Sequence, residues 1–213
     1  MSMLPGPLRA LHAKPRWSRD WYVEPPWCVH ALFERMPFNG PIHDPACGSG
    51  TIVKVAHSLG YEATGSDLVA RGFCEGGIDF LADNTPRRSI VCNPPFKLAE
   101  RFIRHAVEVA ECVAMILPLA FSAGQRRCHS LFLPHPPTLE LVLAKRPSMP
   151  PGGTDIPAKG GTTDYSWLLW DRGHRGPTEK QWWVPSPPSA QRDLFLSEPV
   201  PTFLLPKRNG GAP

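Results

Sequence analysis

The sequence predicts an α/β fold: a mainly parallel sheet that ends in an antiparallel C-terminal hairpin. Three observations predict it. From residue 40 onward, short apolar runs alternate with segments of helical spacing, the pattern of a parallel sheet covered by helices. Two of the apolar runs lead into the strings Asp44-Pro-Ala-Cys-Gly-Ser-Gly50 and Asn93-Pro-Pro-Phe96. Both strings therefore fall at the carboxyl ends of strands, where open α/β sheets bind their ligands. Near the C-terminus, the apolar runs 139–143 and 165–170 face each other across the loop 144–163 and read as a hairpin. A loop of that length inside a domain is uncommon unless it is functional or disordered.

The elements follow in order. Residues 1–20 carry Pro, Arg and His without periodicity and read as a loose arm. Tyr22-Val-Glu-Pro25 enters a helix. Pro25 and Pro26 suit its first turn, where a missing N–H costs nothing, and Trp27, Ala31 and Met36 keep helical spacing, with Cys28 and Leu32 beside them. Pro41-Ile-His43 is a short first strand. Residues 51–59 form the following helix, with Ile52, Val55, Ala56 and Leu59 on one face. Residues 61–65 are a second strand ending at Ser66-Asp67, 77–81 a turn-like piece, and 89–92 a strand that delivers Asn93. Residues 98–112 show the clearest helical period, through Leu98, Phe102, Ala106, Val109 and Val113, and 113–117 is a buried strand. Residues 21–176 make the domain, and 177–213 read as a Pro-rich tail.

Bulk properties bound the function. A chain of 213 residues suits one domain with one sizeable core. Proline is in excess, at 27 residues, and much of it lies after residue 133. A net charge of +4 is compatible with a nucleic-acid partner without demanding one. The basic residues cluster at Arg9, Lys14, Arg16 and Arg19, at Arg126-Arg127, and around the Gly/Pro loop at Lys145, Arg146 and Lys159. The six cysteines show neither CxxC pairing nor Cys/His ligand spacing, which predicts no metal site. Cys47, Cys92 and Cys112 sit in or beside apolar runs and read as small buried thiols, so no disulfide framework is expected and a reducing cytoplasm fits. No apolar run is long enough to span a membrane and no signal-peptide core is present, which predicts a cytoplasmic protein with no membrane partner.

The two strings, in this order and about fifty residues apart, resemble the S-adenosylmethionine-dependent DNA adenine-N6 methyltransferases, in their compact phage-type or solitary form. The resemblance covers about residues 21–171 and is strongest at 44–50 and 93–96. It implies a Rossmann-like class I methyltransferase fold, S-adenosylmethionine as the cofactor and DNA as the partner.

At the donor string, Gly48 and Gly50 allow a tight turn and a close backbone approach. The helix that follows offers free N–H groups to an anion. The spacing is not that of a dinucleotide fingerprint, and the carboxylate of a methionine moiety is the expected anion. The resemblance implies that Asp44 lies near that moiety's amino group, with Pro45, Ala46, Cys47, Gly48 and Gly50 lining it. Asp67, after the second strand, can accept from both ribose hydroxyls. Asp79 and Phe80 resemble the segment that grips the donor's adenine, with Asp83 a nearby competitor for Asp79. Tyr22 and Pro25 resemble the segment that closes over the methionine end.

At the acceptor string, the chemistry needs help because the lone pair of an adenine amino group is delocalised into the ring. The Asn93 amide oxygen and the Pro94 carbonyl can each accept one N–H and aim the lone pair at the methyl carbon. Pro94 and Pro95 fix the backbone that holds these acceptors. Phe96 can stack on the target base, a contact worth about 1–3 kcal/mol. A direct in-line displacement needs no covalent enzyme intermediate, and positioning supplies most of the acceleration. Ring-carbon cytosine methylation needs a Pro-Cys nucleophile, and no cysteine here follows a proline.

Flipping a base out of a duplex costs a few kcal/mol. Residues 121–127 and loop 144–163 are the segments that can grip the gap. Arg126, Arg127, Lys145, Arg146 and Lys159 would contact phosphate, and Gly152-Gly153 and Gly160-Gly161 would give the loop mobility. The chain has no room for a separate target-recognition domain. The same catalytic string also serves enzymes that methylate RNA amino groups or glutamine amides, which is the alternative reading. A non-catalytic binding module is the third.

Overall fold

The computed structural model describes residues 20–185. The expectations for the N-terminal arm, with Arg9, Lys14, Arg16 and Arg19, and for the tail beyond residue 185 lie outside the described residues.

Eight strands form one sheet: β1 Ile42–Asp44, β2 Ala63–Asp67, β3 Glu75–Gly76, β4 Arg87–Cys92, β5 Ala110–Pro118, β6 Leu139–Leu143, β7 Tyr165–Asp171 and β8 Glu179–Trp183. Their order is β3-β2-β1-β4-β5-β7-β6-β8. The first five in that order run parallel. β7 inserts antiparallel to both neighbours, with Ile116 opposite Trp167 and Leu141 opposite Trp167. The expected hairpin is therefore present, and its strand β6 has the expected bounds.

Helices cover both faces. α1 (Pro26–Arg35) and α2 (Thr51–Ser58) pack on one, α3 (Ala99–Val109) on the other. The alternation of β5 shows this directly. Ala114 and Ile116 join the core under α1 and α2, whereas Val113, Met115 and Leu117 join the core under α3. A strand buried on both faces reads as an unbroken apolar run, which is why its centre was legible.

Three boundaries differ from expectation. The helix expected over 98–112 stops at Val109, and Ala110, Glu111 and Cys112 are already strand, with Ala110 opposite Arg87 and Cys112 opposite Ser89. Sheet pairing outweighs a helical period that the residues alone would continue. The tail expected from residue 177 instead begins with β8, which pairs in parallel with β6. Trp183 turns inward from β8 and stacks on Trp27 at 5.4 Å, and its Nε1 donates to Glu34 Oε2 at 2.6 Å. Its neighbour Trp182 is exposed. The turn-like piece 77–81 resolves into the 3-10 turn Phe80–Ala82, preceded by the short β3.

The cysteine expectation is corrected at one pair. Cys47 and Cys74 form a disulfide across a separation of 27 residues, so Cys47 is not a free thiol. Cys28 and Cys92 are buried and free, as expected for small apolar side chains, and Cys112 is half-buried. Among the described residues no helix is long and apolar enough to cross a membrane.

Loop 144–163 is also tied down near its middle. Val23 N donates to the Pro150 carbonyl at 3.0 Å, and Gly152 N to the Trp21 carbonyl at 2.8 Å. The Trp21 ring lies where a side chain on Gly152 would stand. That glycine serves close packing rather than the mobility expected of it.

Candidate active site

Parallel strands β1, β2 and β4 end at one edge of the sheet, delivering Asp44, Asp67 and Asn93 to the same side. A cleft opens there. Tyr22, Pro45, Ala46, Asp67, Asp79, Phe80, Asn93, Pro94 and Pro95 line it, all residues expected from sequence; so do Trp21 and Arg71, which were not.

Of the donor string, Pro45 and Ala46 line the cleft, whereas Asp44, Cys47, Gly48 and Gly50 do not. Gly50, with φ of +80°, is the N-cap of α2, a backbone setting that favours glycine. Asp44 is only 2% exposed. Its Oδ1 accepts from Ala46 N at 3.2 Å. Burial, reinforced by the nearby acid Glu24, raises its pKa well above the usual carboxylate range. Glu24 is itself raised to about 7, chiefly by burial. Two buried acids beside a helix N-terminus make a poor setting for an anion alone and a good one for a zwitterion whose ammonium faces the carboxylates. The residues present thus fit the amino-acid end of S-adenosylmethionine.

Asp67 closes β2. Its Oδ2 accepts from Gly48 N at 3.0 Å and its Oδ1 from Val69 N at 2.8 Å. Arg71 Nε adds a contact to Oδ2 at 3.3 Å, and the Arg71 guanidinium lies 4.0 Å over the Trp21 ring. Trp21 in turn covers Gly48, filling the space a side chain there would need. Oδ1 carries a single backbone donor and keeps capacity for a hydroxyl. Asp79 is positioned at the cleft, where its Oδ1 caps the 3-10 turn by accepting from Leu81 N at 3.0 Å. Its competitor Asp83 is turned to Thr85 and Arg87 outside the cleft. Phe80 shows an edge to the cleft, but most of its ring is buried against Phe102 and His105. Pro25 is the N-cap of α1 and does not line the cleft.

The disulfide ties residue 74 to the donor string, and Phe73 lies over Gly50 with Lys54 4.6 Å from its ring. Segment 68–76 is thereby a cover over the glycine turn. Non-reducing peptide mapping is expected to recover residues 47 and 74 as one linked pair, and Cys74→Ser to raise the tryptic cleavage rate at Arg71 several-fold. Equal cleavage in both forms would remove the bridge as the tether of this segment.

The acceptor string sits opposite. Asn93 Nδ2 donates to the Tyr22 carbonyl at 2.9 Å and to Glu24 Oε2 at 2.8 Å. Both partners are acceptors, so the amide can present only its NH₂ to them. Its Oδ1 is left for the cleft. Tyr22 stacks on Phe96 with centroids 5.5 Å apart and planes 10° from parallel, and Phe96 lies 6.0 Å from Tyr165. These three rings border a second cleft, continuous with loop 144–163 and holding Lys159.

The basic residues are less unified than expected. Lys159 lines that second cleft. Arg146 pairs with Asp164 at 2.7 Å and Lys145 lies 5.2 Å over Trp27. Arg127 donates to the carbonyls of Ala120, Phe121 and Ala123. Arg126, 80% exposed at its side chain, pairs with Glu100. Arg127 therefore braces residues 120–123, and the basic residues engage different partners.

No family model matches the chain, and no curated protein matches it either. Among solved structures it is similar to PH1948 from Pyrococcus horikoshii, a proposed RNA methyltransferase, with a TM-score of 0.58 and 16% identity over 75% of this chain and 90% of that one. It is also similar to the hMettl16 catalytic domain in complex with MAT2A 3'UTR hairpin 1, with a TM-score of 0.50 and 9% identity over 75% of each chain. The fold is that of the class I methyltransferases. Strand β8 extends the sheet at its antiparallel end, beside β6.

Proposed function

We propose that the chain transfers a methyl group from S-adenosylmethionine to the N6 amino group of adenine in a nucleic acid, DNA by the resemblance of its two strings. The observation that carries this reading is the fixed Asn93 amide: two acceptors hold its NH₂, and its oxygen is left at the cleft beside Pro94, one strand away from the donor loop. The donor supplies a methyl carbon on cationic sulfur, whose C–S bond breaks as the N–C bond forms. Asp44 and Glu24 face the donor's ammonium, and α2 offers N–H groups to its carboxylate. Asp67 accepts from the ribose, and Asp79 with Phe80 borders the adenine. Asn93 Oδ1 and the Pro94 carbonyl accept the two N–H bonds of the substrate amine, and Phe96 and Tyr165 flank the base. The proton lost by nitrogen passes to water.

A second reading, RNA as the acceptor, is favoured by the likeness to the two solved structures, one a proposed RNA methyltransferase and the other bound to an RNA hairpin. Incubation with methyl-labelled donor and either unmethylated genomic DNA or total RNA, followed by digestion and mass spectrometry, separates the two. Labelled N6-methyladenine from DNA supports the first reading and from RNA the second. Label in neither pool overturns both. For the donor site, Asp67→Ala removes an acceptor worth about 1.5–3 kcal/mol when charged. Calorimetry is expected to show donor Kd weakened about 10- to 100-fold, and an unchanged Kd removes Asp67 from the site.

A further inference from the structure

The proposed function has Glu24 face the donor's ammonium, yet its carboxylate also lies 2.8 Å from the catalytic amide. We infer that Glu24 is a positioning residue for the acceptor half of the site: its carboxylate, with the Tyr22 carbonyl, dictates which end of the Asn93 amide faces the substrate amine. The inference rests on the methyl-transfer reading and deepens it.

A side-chain amide has two nearly isosteric ends, and only hydrogen-bond partners distinguish them. The Tyr22 carbonyl accepts only. A carboxylate accepts only. Facing both, Asn93 must turn its NH₂ inward and its Oδ1 toward the cleft. Protonated Glu24 carries an O–H that needs an acceptor. That O–H competes for the amide oxygen against the hold of the Tyr22 carbonyl on the NH₂, so part of the population reverses, presents NH₂ to the substrate's own N–H groups and cannot localise the lone pair. The charge on Glu24 therefore sets how much of Asn93 stands as an acceptor.

The groups packed around Glu24 favour such titration near neutrality. Asp44 at the end of β1, Cys28 on α1 and Cys92 on β4 are all acids when they ionise. The Thr51 hydroxyl at the start of α2 and the Asn93 amide are the side chains that support the charged form, and Lys145, felt at Cys28, is the nearby base. Burial dominates and raises the Glu24 pKa to about 7. A cationic donor bound beside it lowers that value, so donor binding itself turns the amide to its working orientation.

The sign follows. With one proton opposing the acceptor, kcat/KM rises with pH and levels off above about 7, falling at most about tenfold per unit below it. In the donor-saturated enzyme the same limb lies at lower pH. Glu24→Gln keeps an acceptor of the same shape without a titrating proton. Glu24→Ala removes it.

The test uses wild type and both variants, with donor Kd measured by calorimetry and the Asn93 side-chain NH₂ followed by ¹H–¹⁵N NMR without donor. The expected result is an Asn93 amide signal that titrates near pH 7 in wild type and is flat in Glu24→Gln. At saturating donor Glu24→Ala should lower kcat about 30-fold or more, beyond any weakening of donor Kd from the lost charge facing the ammonium, and Glu24→Gln should restore most of kcat while losing the acidic limb. An Asn93 signal that titrates equally in Glu24→Gln, or a Glu24→Ala loss confined to donor Kd, overturns the inference. If wild type turns over no substrate, the methyl-transfer reading fails, and the NMR arm still decides whether Glu24 orients Asn93.

Discussion

Asn93→Ala is expected to lower kcat for methyl transfer about 10²–10³-fold, the cost of removing one preorganised hydrogen-bonding group aimed at a reacting atom. The donor Kd should stay within about twofold, because Asn93 belongs to the acceptor wall and the donor loop is held by other bonds, Gly48 N to Asp67 and Ala46 N to Asp44. The variant also strands its two partners. The Glu24 carboxylate loses one of the few groups that support its charge, and the Tyr22 carbonyl loses a donor. Leaving buried polar groups unpaired costs about 1–3 kcal/mol, so the unfolding midpoint should fall and turnover must be measured well below it. Single-turnover kinetics with pre-bound donor separates the effects. A normal rate with a lowered melting temperature would make Asn93 a structural bridge and sink its catalytic role; a collapsed rate at full donor occupancy supports it.

The parts of the molecule that were legible in the sequence are those where one segment carries its own signal. The donor string needs glycine at Gly50 because the chain turns there with positive φ, and the Asn-Pro-Pro-Phe string follows a strand buried on both faces. Alternation of apolar strands and amphipathic helices placed both at one sheet edge. What escaped was written in pairs of distant residues. Glu24 gains its meaning only from Asn93, 69 residues away; the available signal was an acid set between Val23 and two prolines, ahead of an apolar helix. Arg71 and Trp21 became site residues by stacking on each other. Cys47 looked like a buried thiol because its partner sits in a polar segment without periodicity. Strand β8 escaped for a different reason. It lies at the sheet edge, where Glu179 and Lys180 are exposed, so it shows no apolar run to read.

The short strap Asp20–Glu24 joins these observations. Its backbone is pinned to loop 144–163 by Val23 N and by the Trp21 carbonyl, Trp21 covers Gly48, Tyr22 stacks on Phe96, and Glu24 meets Asn93. Donor string, acceptor string and the loop over the second cleft thus share one five-residue segment. The strap's position depends in turn on α1, which begins two residues later at Pro26, and two tryptophans tie α1 to the sheet: Trp183 of β8 through Trp27 and Glu34, and Trp167 of β7 through Cys28.

Trp167 is the more deeply buried of the two, and Trp167→Ala is expected to destabilise the protein by about 3–5 kcal/mol, the range for deleting a buried aromatic. Trp167 sits in the middle of β7, opposite Ile116 on β5 and Leu141 on β6, and is 0% exposed. Its Nε1 donates to the Cys28 carbonyl of α1 at 2.8 Å, which ties the helix behind the strap to the sheet. The variant leaves a cavity between α1 and three strands and takes away this bond. Trp167→Phe keeps most of the packing and loses the N–H, so its cost should be smaller, about 1–2 kcal/mol for a buried hydrogen bond and a partial cavity. Urea unfolding gives both numbers. Because α1 carries the strap, the alanine variant should also raise donor Kd and lower kcat below its melting temperature, an effect distant from any ligand. A large stability loss with unaltered kinetics would show that the Trp167 tie does not set the strap's position and would uncouple it from the site.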